Sequence, residues 1–363
     1  MARKNFITIN TCLVVILLIV LIFNTYNVLQ LKDAFKPKEA PRLPNVELTL
    51  IKVSDCENCL DVAQIAEFVK QAQINISKTT TIDESEAGEL ISRYALAKLP
   101  AAVIVGETQN LSIENFELRN DVLVFDQSPA PFFDTSTGAV KGMVDATIIA
   151  DKTCKECSNL SLIVDQLKQS GVFISSKRTL DKDSAEGKKL VEKYKIEKVP
   201  TLIFNNEAML YEIFQRVWNT VGSEENEGML VMRQITPPYK DIESNTVKGL
   251  VVMTYVTDKS CSECYNATML KQVMSSNFGM QVVKENNVDV SSGAGKKLVE
   301  KYKIELVPTA ILSSDAGEYP SLEEVWEQVG TVESDGVYVF RNLALLEGQT
   351  YKNLTSKKVV AAE

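Results

Sequence analysis

The sequence contains no histidine. That absence excludes Ser-His-Asp and Cys-His catalysis, histidine-ligated metal or haem sites, and pH sensing by histidine. Acid–base work would fall to carboxylates or lysine. Basic runs are missing too. Lysine and arginine number 39 against 48 aspartates and glutamates, a net charge of −9, which argues against nucleic acid as a partner. Tryptophan occurs twice in 363 residues. The obvious reactive side chains are seven cysteines. The length, with 45% apolar residues, is enough for two or three domains.

The one long apolar run lies at the N-terminus, where Cys12 to Phe23 is uninterrupted and Arg3 and Lys4 precede it. A helix from Phe6 to Leu29 would cross a hydrocarbon core of roughly 30 Å. A cleaved signal peptide would end in a small-residue A-x-A-like site, but Asn24-Thr25-Tyr26-Asn27 stands there. The expectation is therefore a retained anchor over residues 1–35. A proline-containing spacer follows at 36–45. Positive charges on both sides leave orientation to weaker signs. The short leading tail and the cysteine pattern place the bulk of the chain on the extracytoplasmic side of a single-pass membrane protein.

The rest of the chain repeats itself. Gly187-Lys-Lys-Leu-Val-Glu-Lys-Tyr-Lys-Ile-Glu-Lys-Val-Pro-Thr201 recurs at Gly295–Thr309 with one change, Lys198 to Leu306. A fainter copy runs through Leu90, Arg93, Tyr94, Leu99 and Pro100. Each is preceded by a C-x-x-C: Cys56/Cys59, Cys154/Cys157 and Cys261/Cys264. The first cysteine precedes the proline by 44, 46 and 47 residues, and successive motifs lie 98 and 107 residues apart. A period of about 100 residues is a domain, not a solenoid unit.

Every repeat reads alike. An apolar strand (Leu48–Val53, Ala146–Ala150, Leu250–Val256) runs into the C-x-x-C, and a helix follows. Its buried face shows as Val62, Ile65, Ala66, Val69 and as Leu160, Ile163, Val164, Leu167. A second strand ends at Asp83, Asp181 or Asp289. A charged helix then leads to Pro100, Pro200 or Pro308, where a third strand begins. Repeats two and three add Val217-Trp218-Asn-Thr-Val-Gly222 and Val325-Trp326-Glu-Gln-Val-Gly330. These tryptophans read as core anchors, with substrate docking as the competing role. Proline-rich joints, Pro129–Asp134 and Pro237–Asp241, give domains at 46–140, 141–247 and 248–358.

Three C-x-x-C motifs, each between an apolar strand and a helix with a proline about 45 residues on, resemble the thioredoxin superfamily. Tyr194-Lys-Ile-Glu-Lys-Val-Pro-Thr-Leu-Ile-Phe204 is similar to that family's segment around its cis-proline. The resemblance covers about 45–345 and implies an α/β fold: three tandem thioredoxin-like domains, each a mixed sheet flanked by helices, behind the membrane helix. It implies Cys56, Cys154 and Cys261 as nucleophiles and Cys59, Cys157 and Cys264 as resolving partners. It also implies Pro100, Pro200 and Pro308 as cis-prolines that face the cysteines and leave backbone groups free for a bound peptide. No cofactor is called for. The implied partners are protein thiols or disulfides and an unidentified redox partner.

A cysteine at a helix N-terminus would have its thiolate favoured by the helix dipole. The family's tryptophan before the first cysteine is absent here. A glutamate lies in every loop: Glu57, Glu156 and Glu263. A carboxylate disfavours the thiolate and makes the dithiol more reducing, so a reducing or isomerising bias is expected. Cys56, between Asp55 and Glu57, has the poorest setting. Cys154, near Lys152 and Lys155, is the expected most reactive.

Three other readings compete. The C-x-x-C pairs could be structural staples, although so short a loop removes little unfolded-state entropy. A metal site would need motifs from different domains to meet. A scaffold that holds clients without turnover would tolerate loss of Cys154 and Cys261, whereas an oxidoreductase would not.

Overall fold

The computed structural model describes residues 18–29 and 42–362. Residues 18–29 are helical. The first half of the expected span from Phe6 to Leu29 lies outside the described residues, as does Cys12. Among the described residues no helix is long and apolar enough to cross a membrane.

The chain divides into two compact units. One contains the described residues up to Lys52, with Asp61–Ile82 and Ala101–Phe125. The other contains Val53–Leu60, Asp83–Pro100 and everything from Asp126 onward. The first unit is built on a five-stranded sheet in the order Asn75–Asp83, Asn45–Lys52, Ala101–Gly106, Val122–Phe125, Glu117–Arg119. Alternating burial along Asn45–Lys52 follows the period of two expected of a strand. The helix Val62–Lys70 buries Ile65 and Val69, and the Asp61 carboxylate caps it by accepting from the Ala63 amide at 2.9 Å.

The second unit holds two further sheets of the same strand order. One runs Ile174–Asp181, Val144–Ala150, Thr201–Phe204, Leu230–Met232, Gly222–Glu224. The other runs Val282–Asp289, Val251–Thr257, Thr309–Leu312, Tyr338–Phe340, Gly330–Val332. In each the first pair is parallel and the remaining pairs are antiparallel. The strands sit within a few residues of their expected places.

Both faces of these sheets are covered. Leu202 and Phe204 point to the core shared by the helices Ser161–Gln169 and Glu212–Val221, while Ile203 points to the core built with Leu190, Val191 and Tyr194. The third repeat divides the same way, with Ala310 and Leu312 on one face and Ile311 on the other.

The tryptophan segments are helices, Glu212–Val221 and Pro320–Val329, and their tryptophans are core residues. Each indole donates to a backbone carbonyl five residues on, Trp218 to Ser223 and Trp326 to Thr331, both at 3.1 Å. The glycine that ends each helix is required by close approach. A Cβ at Gly222 would lie 2.6 Å from the Trp218 ring, and one at Gly330 would lie 2.2 Å from the Val339 carbonyl.

The joints do not behave as linkers. Phe132–Asp134 with Ala139–Lys141, Tyr239–Asp241 with Val247–Lys248, and Thr350–Asn353 with Val359–Ala361 are β-hairpins. Each pairs antiparallel with the two residues before a repeat proline: Lys98–Leu99, Lys198–Val199 or Leu306–Val307. The expected boundary at 140/141 therefore falls inside a strand, and the third hairpin runs to Ala361. Phe132 and Tyr239 are 4% and 3% exposed. Burying such a ring contributes about 1.5–3 kcal/mol, so these hairpins are fixed parts of the fold.

Candidate redox site

Cys56–Cys59, Cys154–Cys157 and Cys261–Cys264 are each closed as a disulfide, with Cα atoms 5.3–5.5 Å apart. All six cysteines are half-buried, and the two residues inside each motif are exposed. The peptide bonds to Pro100, Pro200 and Pro308 are cis, as are those to Pro131 and Pro238. In repeats two and three the second cysteine faces the residue before that proline. Cys157 Sγ is 4.0 Å from the Val199 carbonyl oxygen, and Cys264 Sγ is 3.9 Å from that of Val307. In the third repeat the buried Tyr265 hydroxyl also donates to the Pro308 carbonyl at 2.8 Å.

Two expectations need correction. None of the three motifs opens a helix, and in the first the helix begins at Val62, six residues after Cys56. In the other two the helices begin at Ser161 and Met269, seven and eight residues after the nucleophile positions, so the helix dipole does not act on Cys154 or Cys261 directly. In repeats two and three a hairpin also lies against the motif. It takes the backbone donors just past the second cysteine: the Ser158 amide donates to the Pro238 carbonyl at 2.8 Å, and the Tyr265 amide to the Thr350 carbonyl at 2.9 Å. The chain re-enters helix only after an Asx turn, where the Asn159 side chain accepts from Ser161 and that of Asn266 from Thr268. Nor is the backbone beside the prolines free. It is paired with the hairpins in all three repeats.

The aspartates that end the second strands hold the motif loops. Asp181 accepts from the Lys152 amide at 3.2 Å, Asp289 from the Lys259 amide at 2.7 Å, and Asp83 from the Ser54 hydroxyl. The Ser54 and Glu84 hydrogen bonds push the Asp83 pKa down to about 2.

A second carboxylate stands three residues before the nucleophile in repeats two and three. Asp151 and Asp258 are mostly buried. Asp258 pairs with Lys352 of the hairpin at 2.6 Å, and its other oxygen accepts from the Ser260 amide and hydroxyl at 2.8 and 2.6 Å. Burial alone would raise its pKa, but the Lys352 and Ser260 hydrogen bonds outweigh it and hold the group below the usual range. Asp151 likewise has burial opposing and Thr153 hydrogen bonds prevailing, aided by the charges of Lys182 and Lys240. The corresponding positions in the first repeat are Val53 and Phe133. An apolar pair replaces the ion pair, so the first site differs in charge from the others. Sequence reasoning missed Asp258 and Lys352, which only the hairpin's return brings together; the aspartate three residues before the first cysteine in both repeats was the available signal.

A depressed carboxylate adds stability that is present above its unfolded pKa and lost as pH falls through the folded value. The Lys352→Met variant should therefore be less stable than the parent at pH 7. The gap should shrink as pH falls below the ordinary aspartate range toward the lower value that folded Asp258 has in the parent. Denaturant titration followed by Trp326 fluorescence in a Trp218→Phe background checks this. A gap unchanged down to pH 3 would sink the assignment.

Among the described residues no cluster of three or more cysteines, aspartates or glutamates converges as a metal site would require. No family model and no curated protein matches the chain. Among solved structures it is similar to the NTD_N/C domain of alkylhydroperoxide reductase AhpF from Enterococcus faecalis. The identity is 18% over 47% of this chain and 82% of that one, at a TM-score of 0.15. It is also similar to ERdj5, with 12% identity over 78% of this chain and 40% of that one at 0.15. Zinc-bound human ERp44 shows 8% identity over 74% of this chain and 78% of that one at 0.12. The strand order, the C-x-x-C after the first strand and the cis-proline before the third define the class: the chain carries tandem thioredoxin-like domains.

Proposed function

We propose that this chain catalyses thiol–disulfide exchange on protein thiols and disulfides through its C-x-x-C pairs, held at a membrane by its N-terminal apolar run with the domains on the extracytoplasmic side. The observation that carries the reading is the closed cysteine pair whose second sulfur lies about 4 Å from the carbonyl before the cis-proline, found in repeats two and three. The uninterrupted apolar sequence from Cys12 to Phe23 supports the anchor. In the reducing direction the thiolate of Cys154 attacks a client disulfide sulfur, forming a mixed disulfide and releasing the first client thiolate. Cys157, as thiolate, then attacks Cys154 Sγ, closing the protein disulfide and releasing the second. Two electrons pass to the client, and a dithiol reductant must restore the pair.

Equilibrating the purified chain with thiol buffers tests this. Potentials of about −180 to −280 mV with ready exchange support it, and pairs that stay oxidised below about −300 mV would instead be structural staples. The exposed Glu156 beside Cys154 gives a second check. Glu156→Gln should make this pair more oxidising, by at most about 30 mV because solvent screens the charge. An unmoved potential would remove the carboxylate as the source of a reducing bias.

A further inference from the structure

The sulfurs of the second and third motifs lie beside a backbone edge that the chain itself occupies. Next to Cys157 that edge is Lys198–Val199, whose ladder partners are Asp241 and Lys240. The Ile242 amide extends the ladder by donating to the Glu197 carbonyl at 2.8 Å. On the other side of the motif, Ser158 is tied to Pro238 through its amide and to Thr236 through its hydroxyl. The hairpin strand thus spans from the motif to the residues before the proline. The third repeat repeats this, with Leu306–Val307 against Asn353 and Lys352, the Leu354 amide donating to Glu305, and Tyr265 tied to Thr350. In the first, Lys98–Leu99 pairs with Asp134 and Phe133, and the Thr135 amide donates to Ala97.

An extended peptide gains affinity at a sheet edge by adding a strand, through main-chain hydrogen bonds. At these three sites those hydrogen bonds are already made within the chain. The approach left open is end-on, across the exposed inner residues of the motif: Lys155 and Glu156, or Ser262 and Glu263. Resting on the exchange reading above, we propose that the hairpins are specificity elements: they exclude extended, unfolded chains, and the substrates are compact disulfides that reach the sulfurs without adding a strand.

The test uses the full chain with Cys56, Cys59, Cys261 and Cys264 replaced by serine, reduced with a dithiol and then freed of it. Two probes are compared. One is dithiobis(nitrobenzoate). The other is an unstructured peptide whose single cysteine is disulfide-bonded to nitrothiobenzoate. In both, the Cys154 thiolate attacks, nitrothiobenzoate leaves as thiolate, and Cys157 closes the pair by displacing what remains. The ratio of peptide to small-probe rate is read in the parent and in two variants. Lys240→Pro removes the amide opposite Val199, and Lys240→Ala keeps it. The Pro variant should raise the ratio about two- to ten-fold, the effect of one main-chain hydrogen bond recovered by the peptide, and the Ala variant should leave it unchanged. Should Lys240→Pro not fold, Lys352→Pro reporting on Cys261/Cys264 provides the same test in the third repeat.

Equal ratios in parent and Pro variants overturn the proposal, because the hairpin then excludes nothing. A peptide rate in the parent that saturates at a probe-independent opening rate overturns it too, since the hairpin then yields. No reaction with either probe instead fails the exchange reading itself, and the proposal with it.

Discussion

In the chain whose other motifs have been replaced by serine, Cys154→Ser is expected to abolish disulfide exchange, by about three orders of magnitude or more, while the fold survives. The thiolate is the nucleophile, and a serine hydroxyl at neutral pH does not replace it. Stability should move far less. The disulfide closes a loop of four residues, so its loss costs about 2 kcal/mol or less. Cys157→Ser should behave differently. Attack by Cys154 still proceeds, but the mixed disulfide is not resolved and accumulates as a mass adduct of the probe. The same pair of variants at Cys261 and Cys264 should repeat the pattern. Stopped-flow exchange and intact-mass measurement read both effects. If both single variants keep parental exchange, the sites are not redox centres, and the repeats are better understood as a binding array.

Trp326→Ala is expected to destabilise the third repeat by about 3–5 kcal/mol. The indole is 2% exposed and packs edge-on against Tyr338, with ring centroids 5.3 Å apart. Its N–H is satisfied by the Thr331 carbonyl, and Gly330 gives its ring room. Truncation therefore leaves a large cavity and an unpaired carbonyl. Trp218→Ala should act similarly in the second repeat, where the ring meets Phe204 and Phe214 at 5.9 and 5.7 Å. Tandem domains do not unfold as one two-state system, so the mutated repeat, which has lost its tryptophan, is followed by hydrogen exchange. A loss below about 1 kcal/mol would contradict the core role and return substrate docking as the reason for these residues.

Much of the fold was legible because its signals are local. The apolar strands, the aspartates that end the second strands and the helix stripe at Ile65 and Val69 follow from periods of two and 3.6. Two matters escaped. The helices Glu212–Val221 and Pro320–Val329 were visible only as a tryptophan segment. The start of helix after Cys157 was placed too early; the Ser158 amide is instead claimed by Pro238, some eighty residues away. Sequence pattern also made the proline-rich joints read as domain boundaries. They are strands of three or four residues at most, too short to show alternation.

The sequence by itself determined the three repeats, the strand and helix order of each, and the cysteine pair and proline that each sheet brings together. These rest on residue type and spacing within about 50 residues. The tertiary structure alone decided that each hairpin folds back onto the residues before its cis-proline, that Lys352 reaches Asp258, and that the edge there is filled. Those outcomes depend on pairing between segments whose own patterns are too short to specify a partner. Their register is set by the ladder and by buried rings such as Phe132 and Tyr239 once the sheets are in place.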